Sequence, residues 1–410
     1  DNKWLFICHV DKPRNEAIAW NERWDIKIKG EYQAVCYDTM DGKIYPVKAA
    51  IKDGNTIIHH IASLHDSLLL KLLAIENSKK ADSVNAVDNV VKEEVFKIPQ
   101  NQKNLPEPFQ YRLEEHNSLL LDMAQYAFDE EEWQEREELL RIDNLFREKL
   151  HYPLRMEALA QPWTEKDEQK SEHVLKLCFH IYSEVEMNEV ELAMEHPETA
   201  EICWNGETLE YIDSGFYVDE SIRTCKLKKL QKGENTLFVK IPFGRKTNVE
   251  WMYLLGEFGV KTIGKYGIIT NLPARLCYGD ITTQNLAFYG GSLEYKSKVS
   301  TEAGIMNLEV SHYKGALLEV FLDGENKGSL FMAPYRKNLG KVEKGEHEIT
   351  IKVYGNRSNT FGVVHNADRT ESWYGPNLWR TTGNKWSYEY QLEQMGVLAT
   401  PVYWIEEGTD

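Results

Sequence analysis

Apolar and polar residues alternate with a period of two along most of this chain, the pattern of strands half buried in a sheet. The stretches Trp4–Val10, Trp24–Ile28, Tyr32–Tyr37 and Thr56–Ile61 follow it, and Asp41-Gly42 and Asp53-Gly54 mark turns between them. A small antiparallel β-sandwich is predicted over residues 1–75. From Glu76 to Asn89 the period is lost and large apolar residues are few, so 76–93 is expected to be a linker. Strands resume at Glu94. The segment Glu130 to Leu150 breaks the rule of two: Trp133, Leu140, Ile142, Leu145, Phe146 and Leu150 recur near every three or four residues. An amphipathic helix over 130–150 is expected, with the acidic run Asp129 to Glu132 at the positive end of its dipole.

The later part of the chain repeats itself. Ala200-Glu201-Ile202-Cys203-Trp204-Asn205-Gly206-Glu207 leads through Phe216-Tyr217-Val218-Asp219 to Lys232-Gly233-Glu234-Asn235 and the alternating run to Lys240. The second copy runs from Leu318 through Asp323-Gly324-Glu325 and Ala333-Pro334-Tyr335 to Lys344-Gly345-Glu346 and the alternating run to Lys352. In each, a strand enters an Asn-Gly or Asp-Gly turn, where Gly tolerates positive φ, and a return strand and loop precede Lys-Gly-Glu and another strand. The expected fold class is mainly β: three tandem β-sandwich units, at 1–75, 94–265 and 266–410, with the one helical insertion in the second.

That repeated plan resembles the galactose-binding-like jelly rolls known as sugar-binding domains in family 2-type glycoside hydrolases. Further strings are similar to the C-terminal parts of large bacterial glycosidases of the α-L-rhamnosidase-like kind: Gln161-Pro162-Trp163, Leu254-Leu255-Gly256-Glu257-Phe258-Gly259, Gly355 to Gly362 and Gly375-Pro376-Asn377-Leu378-Trp379-Arg380-Thr381. The opening block likewise resembles the small β-domain that follows the catalytic barrel in such enzymes. The resemblance implies two jelly rolls over the last two units, and catalytic carboxylates on a (β/α)₈ barrel upstream. A barrel needs eight strand–helix alternations over about 250 residues, and this pattern offers one long helix between runs of strands.

Composition narrows the partners. At 410 residues, two to four domains are expected. Lys plus Arg number 48 against 65 Asp plus Glu, a net charge of −17, which is the wrong sign for nucleic acid or an anionic membrane surface. No run approaches the roughly 18 apolar residues of a spanning helix. The first residues, Asp1 to Cys8, lack an initiator Met and a signal-peptide pattern and enter a strand at once, so an excised fragment is expected. Cys8, Cys36, Cys178, Cys203, Cys225 and Cys277 lack C-x-x-C spacing; five lie in apparent strands and are expected to be buried free thiols, which fit a bacterial cytoplasm better than secretion. No cofactor is expected, although jelly rolls leave room for a structural calcium ion held by backbone carbonyls.

Several chemical constellations fail on their spacing. His59 and His60 sit in a strand that sends neighbours to opposite faces, which disfavours a shared metal. Gly290-Gly291 falls in a strand–turn context, so it opens no phosphate loop. The sequon Asn356-Arg357-Ser358 is expected to be a structural turn. Glycoside hydrolysis needs two carboxyls roughly 5–10 Å apart, and no pair is assigned here: Glu250 and Glu257, flanking Trp251-Met252-Tyr253, are the best of a weak set, and a surface or hydrogen-bonding structural role is the favoured reading for them.

Recognition remains. Between Phe361 and Trp386 the chain concentrates His365, Asn366, Asp368, Arg369, Trp373, Tyr374, Trp379, Arg380 and Trp386. Indole faces cover the C–H face of a pyranose while amide, guanidinium and imidazole groups meet its hydroxyls. His365, Asn366, Trp373, Trp379, Arg380 and Trp386 are therefore the candidate carbohydrate-binding residues, with a structural plug as the other reading; Trp204, Tyr211 and Tyr217 form a second candidate group. The expected function is a non-catalytic C-terminal region of a polysaccharide-degrading glycoside hydrolase, with an oligo- or polysaccharide and the upstream barrel as partners. Two alternatives stand: an acid pair between the sandwiches that makes the fragment itself a hydrolase, and a purely structural interaction module.

Overall fold

A computed structural model describes residues 2–10, 21–40, 42–75, 99–155, 171–368, 370 and 375–407. The expected linker, the string Gln161-Pro162-Trp163 and the residues Arg369, Trp373 and Tyr374 lie outside them. The chain is mainly β, built from antiparallel sheets. Contacts divide it into two units: 1–109 with 295–353 and 397–410, and 110–294 with 354–396.

In the first unit, strands within 3–74 form a four-stranded and a three-stranded sheet. Alternation decides what each buries. Tyr32, Ala34 and Cys36 point inward against Ile58, Leu68, Leu70 and Leu72, while Gln33 and Val35 point away. His60 is buried and bonded to Asp66, and its neighbour His59 faces solvent beside Asp25, as strand geometry requires. The later part of this unit holds the strands Leu293–Thr301, Leu317–Leu322, Glu325–Leu330 and Gly345–Tyr354 in one sheet and Gly304–Glu309, Arg336–Val342 and Val402–Glu406 in another.

The second unit carries a five-stranded sheet made of β1 (Asn117–Leu121), β2 (Val190–Glu195), β3 (Asp213–Tyr217), β4 (Asp219–Leu227) and β5 (Met252–Gly256), in the order β1-β5-β2-β4-β3. A larger sheet, centred on the pair His173–Ser183 and Gly233–Phe243, shares its core: Leu192 and Leu254 pack with Leu177, Phe179, Trp204 and Val239. The single helix longer than one turn among the described residues, α1, spans Leu139–Lys149. The expected helix over 130–150 is thus half right. Gln134–Glu138 is a strand paired to Met123–Phe128, and the acidic run Asp129 to Glu132 lies in the turn before it, away from any helix end. The cap is Glu138, whose carboxylate accepts from the amides of Leu140 and Arg141. On the buried face of α1, Phe146 stacks on Phe128 at 4.1 Å, and Arg147 and Asp143, both 1% exposed, pair one turn apart.

The two copies of the repeat match in local geometry. Asn205-Gly206 takes φ values of 51° and 81°, and Asp323-Gly324 takes 52° and 83°, the left-handed pair of a two-residue hairpin. In the first copy the amide of Thr236 donates to Asn205 Oδ1 at 2.9 Å; in the second the amide of Glu348 donates to Asp323 Oδ1 at 2.8 Å.

Candidate functional site

The five-stranded sheet has one face in the core and one that carries functional groups. On β2, Leu192 points inward, and Glu191, Ala193 and Glu195 point the other way, in register with Leu255 and Tyr253 of β5 and with Lys226, Thr224 and Ile222 of β4. The middle of this outer face is closed by rings. Tyr253 lies 5.3 Å from Tyr217 and 5.2 Å from Phe361, and its hydroxyl donates to the carbonyl of Thr360.

Phe361 belongs to the segment 354–396, which is tied down along its length. A Cβ on Gly355 would lie 2.0 Å from the carbonyl oxygen of Gly290, so glycine permits this close backbone approach. Arg357 forms a bidentate pair with Glu115, and Asn359 exchanges hydrogen bonds with the backbone of Glu393. His365 lies 3% exposed between two acceptors, 2.6 Å from Asp122 Oδ2 through Nε2 and 2.8 Å from the Ser387 carbonyl through Nδ1. Two acceptors call for two ring protons, hence an imidazolium. Burial opposes that charge, yet the hydrogen bond and charge of Asp122 outweigh it and raise the His365 pKa. The other oxygen of Asp122 accepts from the Tyr390 hydroxyl at 2.8 Å.

Beside this anchor a cleft opens over the Glu195 end of β2. Its inner part, of about 110 Å³, is walled by Trp251, Tyr253, Phe361 and Trp379 together with Glu195 and Glu250. The same two carboxyls continue into an outer cavity of about 410 Å³ with His196, Lys246 and Asn248, a size in the range of small-ligand sites. The amide of Asn248 donates to Glu195 Oε2 at 3.2 Å. Burial, reinforced by the charge of Glu195, pushes the Glu250 carboxyl up to about 7. Trp251 is held from behind: its Nε1 donates to Glu138 at 2.6 Å. Burial pushes Glu138 up to about 7 as well, against the hydrogen bonds from Trp251 and Leu140.

The predicted loop residues fall into distinct places. Trp379 reaches the cleft, with its Nε1 donating to the Phe361 carbonyl at 3.1 Å. Arg380 lies close enough to Glu250 and Asp143 to favour the charged form of both, and its Nε is buried without a hydrogen-bond partner among the described residues. Trp386 lies beneath Arg141, 4.5 Å from the guanidinium, and 4.8 Å from His365. Both ring nitrogens of His365 are engaged inside the unit, and the buried Asn366 side chain bonds its own loop at Asp368. Trp373 is outside the described residues. Of the second group, Trp204 is 1% exposed in the core, Tyr211 packs against that core, and Tyr217 is in the ring cluster. Glu257 pairs with His116 at the opposite end of the sheet from Glu250. Reading residue types alone missed Glu195 and Asn248; the alternation of Val190–Glu195 was the available signal for the first.

All six cysteines are free, but the expected burial holds only for Cys36 and Cys225: Cys178 and Cys203 are half-buried, and Cys8 and Cys277 are exposed. No group of three or more His, Cys, Asp or Glu side chains among the described residues is placed to hold a metal ion. No helix among them is long and apolar enough to cross a membrane.

No family model matches this chain, and no curated relative matches it. Among solved structures, it is similar to a rhamnosidase from Novosphingobium sp. PP1Y, at 11% identity and TM-score 0.33 over 98% of this chain and 25% of that one. An α-L-rhamnosidase from Streptomyces avermitilis complexed with L-rhamnose aligns at 10% identity and TM-score 0.26, over 92% of this chain and 35% of that one. A GH2 β-galacturonidase from Eisenbergiella tayi bound to galacturonate aligns at 10% identity and TM-score 0.21, over 61% and 38%. The chain spans about a quarter to two fifths of these proteins. These proteins are glycoside hydrolases.

Proposed function

We propose that this chain is a non-catalytic accessory region of a polysaccharide-degrading glycoside hydrolase, C-terminal to its barrel, and that the Glu195–Glu250 cleft takes an oligo- or polysaccharide. The observation that carries the binding half is the meeting of indole and phenol rings with two carboxyls and an amide around one volume. Rings cover the apolar face of a sugar, and Glu195, Asn248 and Glu250 offer acceptors and a donor of fixed geometry to its hydroxyls. The accessory half is supported by architecture. Among the described residues, the strand pairs whose register is given are antiparallel except for Tyr266–Thr270 beside His173–Ser183, and the strand–helix alternation of a barrel is missing from those residues.

A second reading has one specific observation in its favour. Glu195 and Glu250 line the same cavity, and a carboxyl pushed up to about 7 beside another carboxylate is how a glycosidase sets its general acid. Affinity electrophoresis against a polysaccharide panel, run beside hydrolysis of aryl glycosides, separates the two. Binding without hydrolysis supports the accessory reading; hydrolysis abolished in Glu250→Gln supports the second. A chain that neither retards on any polysaccharide nor hydrolyses any glycoside contradicts both and leaves a structural interaction module.

A further inference from the structure

The same sheet carries a second cavity, of about 390 Å³, over the Glu191 end of β2. Glu191 and Glu195 are four residues apart on one face, about 13 Å along an extended strand. Ala193 and the Tyr217, Tyr253 and Phe361 rings lie between them, so the two cavities are separate.

One wall is apolar and open. Phe216 and Val218 line the cavity and remain 53% and 48% exposed. Local backbone geometry holds them there. The pairing of β3 with β4 shifts register between Phe216 and Tyr217, and Val218 takes a φ of +65°, which a β-branched residue rarely adopts. Such a conformation persists only where the surroundings impose it. The opposite wall offers acceptors. Glu115 is held by Arg357 and Glu257 pairs with His116 at 3.0 Å on the open rim. Glu191, facing the cavity between Leu255 and Lys226, has no hydrogen bond or ion pair among the described residues.

We propose that this cavity is a binding site for an uncharged saccharide, with a pyranose face on Phe216 and its hydroxyls donating to Glu191 and Glu257. Carboxylates accept two hydroxyl hydrogen bonds apiece, and charged acceptors make them stronger than neutral ones. Acidic sugars are disfavoured, because a uronate brings its charge beside Glu191, the lining carboxylate that no cation pairs among the described residues. The site is distinct from the Glu195–Glu250 cleft, and its chemistry comes from its own walls.

Isothermal titration of the whole chain with neutral oligosaccharides and with oligogalacturonates tests it, using Phe216→Ala, Glu191→Gln and Glu250→Gln. Phe216 is half exposed, so its truncation leaves the core intact; a thermal melt matching the parent chain checks this. The expected result is a neutral-saccharide site that is kept in Glu250→Gln, weakened at least tenfold by Phe216→Ala and several-fold by Glu191→Gln, and that gives no heat with oligogalacturonate. Binding lost only in Glu250→Gln overturns this site and supports the other cleft; binding lost only in Phe216→Ala does the reverse. Absence of neutral-saccharide binding, or oligogalacturonate bound as tightly as a neutral sugar, also overturns it.

Discussion

His365 donates to Asp122 Oδ2 at 2.6 Å, and the two side chains are 3% and 1% exposed. The pair joins residues 243 positions apart and fastens the segment 354–396 beside the five-stranded sheet. A folded-state pKa raised above 6.5 means that folding favours the imidazolium. The stability it contributes is present in full below the unfolded value and is lost as pH rises through the raised folded value. Urea unfolding is expected to show the chain weakening from near neutral pH upward, and Asp122→Asn to remove that decline. Breaking the buried pair should cost about 3 kcal/mol at pH 6. A variant as stable as the parent at pH 6 would show that the pair is not the fastening.

Glu138 joins the fold to the cleft, because it caps α1 and holds Trp251. Glu138→Ala removes the cap and strands a buried indole N–H, at a combined cost of about 2–4 kcal/mol. Both Glu138 and Glu250 have folded values near 7 against 4.5. Their contribution is therefore largest below 4.5 and declines as pH rises towards 7. Glu138→Gln is expected to remove part of that slope in denaturant unfolding, and the double variant with Glu250→Gln the rest. An unchanged slope in the double variant would contradict the assignment.

The matched turns predict matched energetics. A Cβ at Gly206 or Gly324 meets no atom within 4 Å, so Gly→Ala at either carries only the penalty of positive φ, about 1 kcal/mol. Asn205→Ala and Asp323→Ala should each cost about 1 kcal/mol more than an exposed loop substitution, since each side chain accepts the amide of the facing strand. Thermal denaturation of the four variants checks this; opposite signs in the two copies would argue against equivalent turns.

Much of this fold was legible because strand alternation and Asx-Gly turns are local signals, and they locate the repeat to the residue. The helix was only half legible. Gln134–Glu138 has the composition of a helical turn, and its pairing with Met123–Phe128 is a tertiary fact. The site divides the same way. Trp379 stood out as part of an aromatic cluster, whereas Glu195 and Glu250 meet only through the register of β2 and β5. His365 looked like a sugar donor by residue type, but its acceptors come from Asp122 and Ser387, which no local pattern connects to it.

Glycan binding in the Glu195–Glu250 cleft is tested by affinity electrophoresis of the chain, Trp379→Ala and Glu250→Gln in gels containing each of a panel of neutral plant and host polysaccharides. Circular dichroism identifies any variant that has lost its fold. A glycan in this cleft requires retardation of the parent chain by at least one polysaccharide, a loss of about tenfold in affinity for Trp379→Ala and a smaller loss for Glu250→Gln, with the fold kept. Retardation unchanged in both folded variants would contradict it.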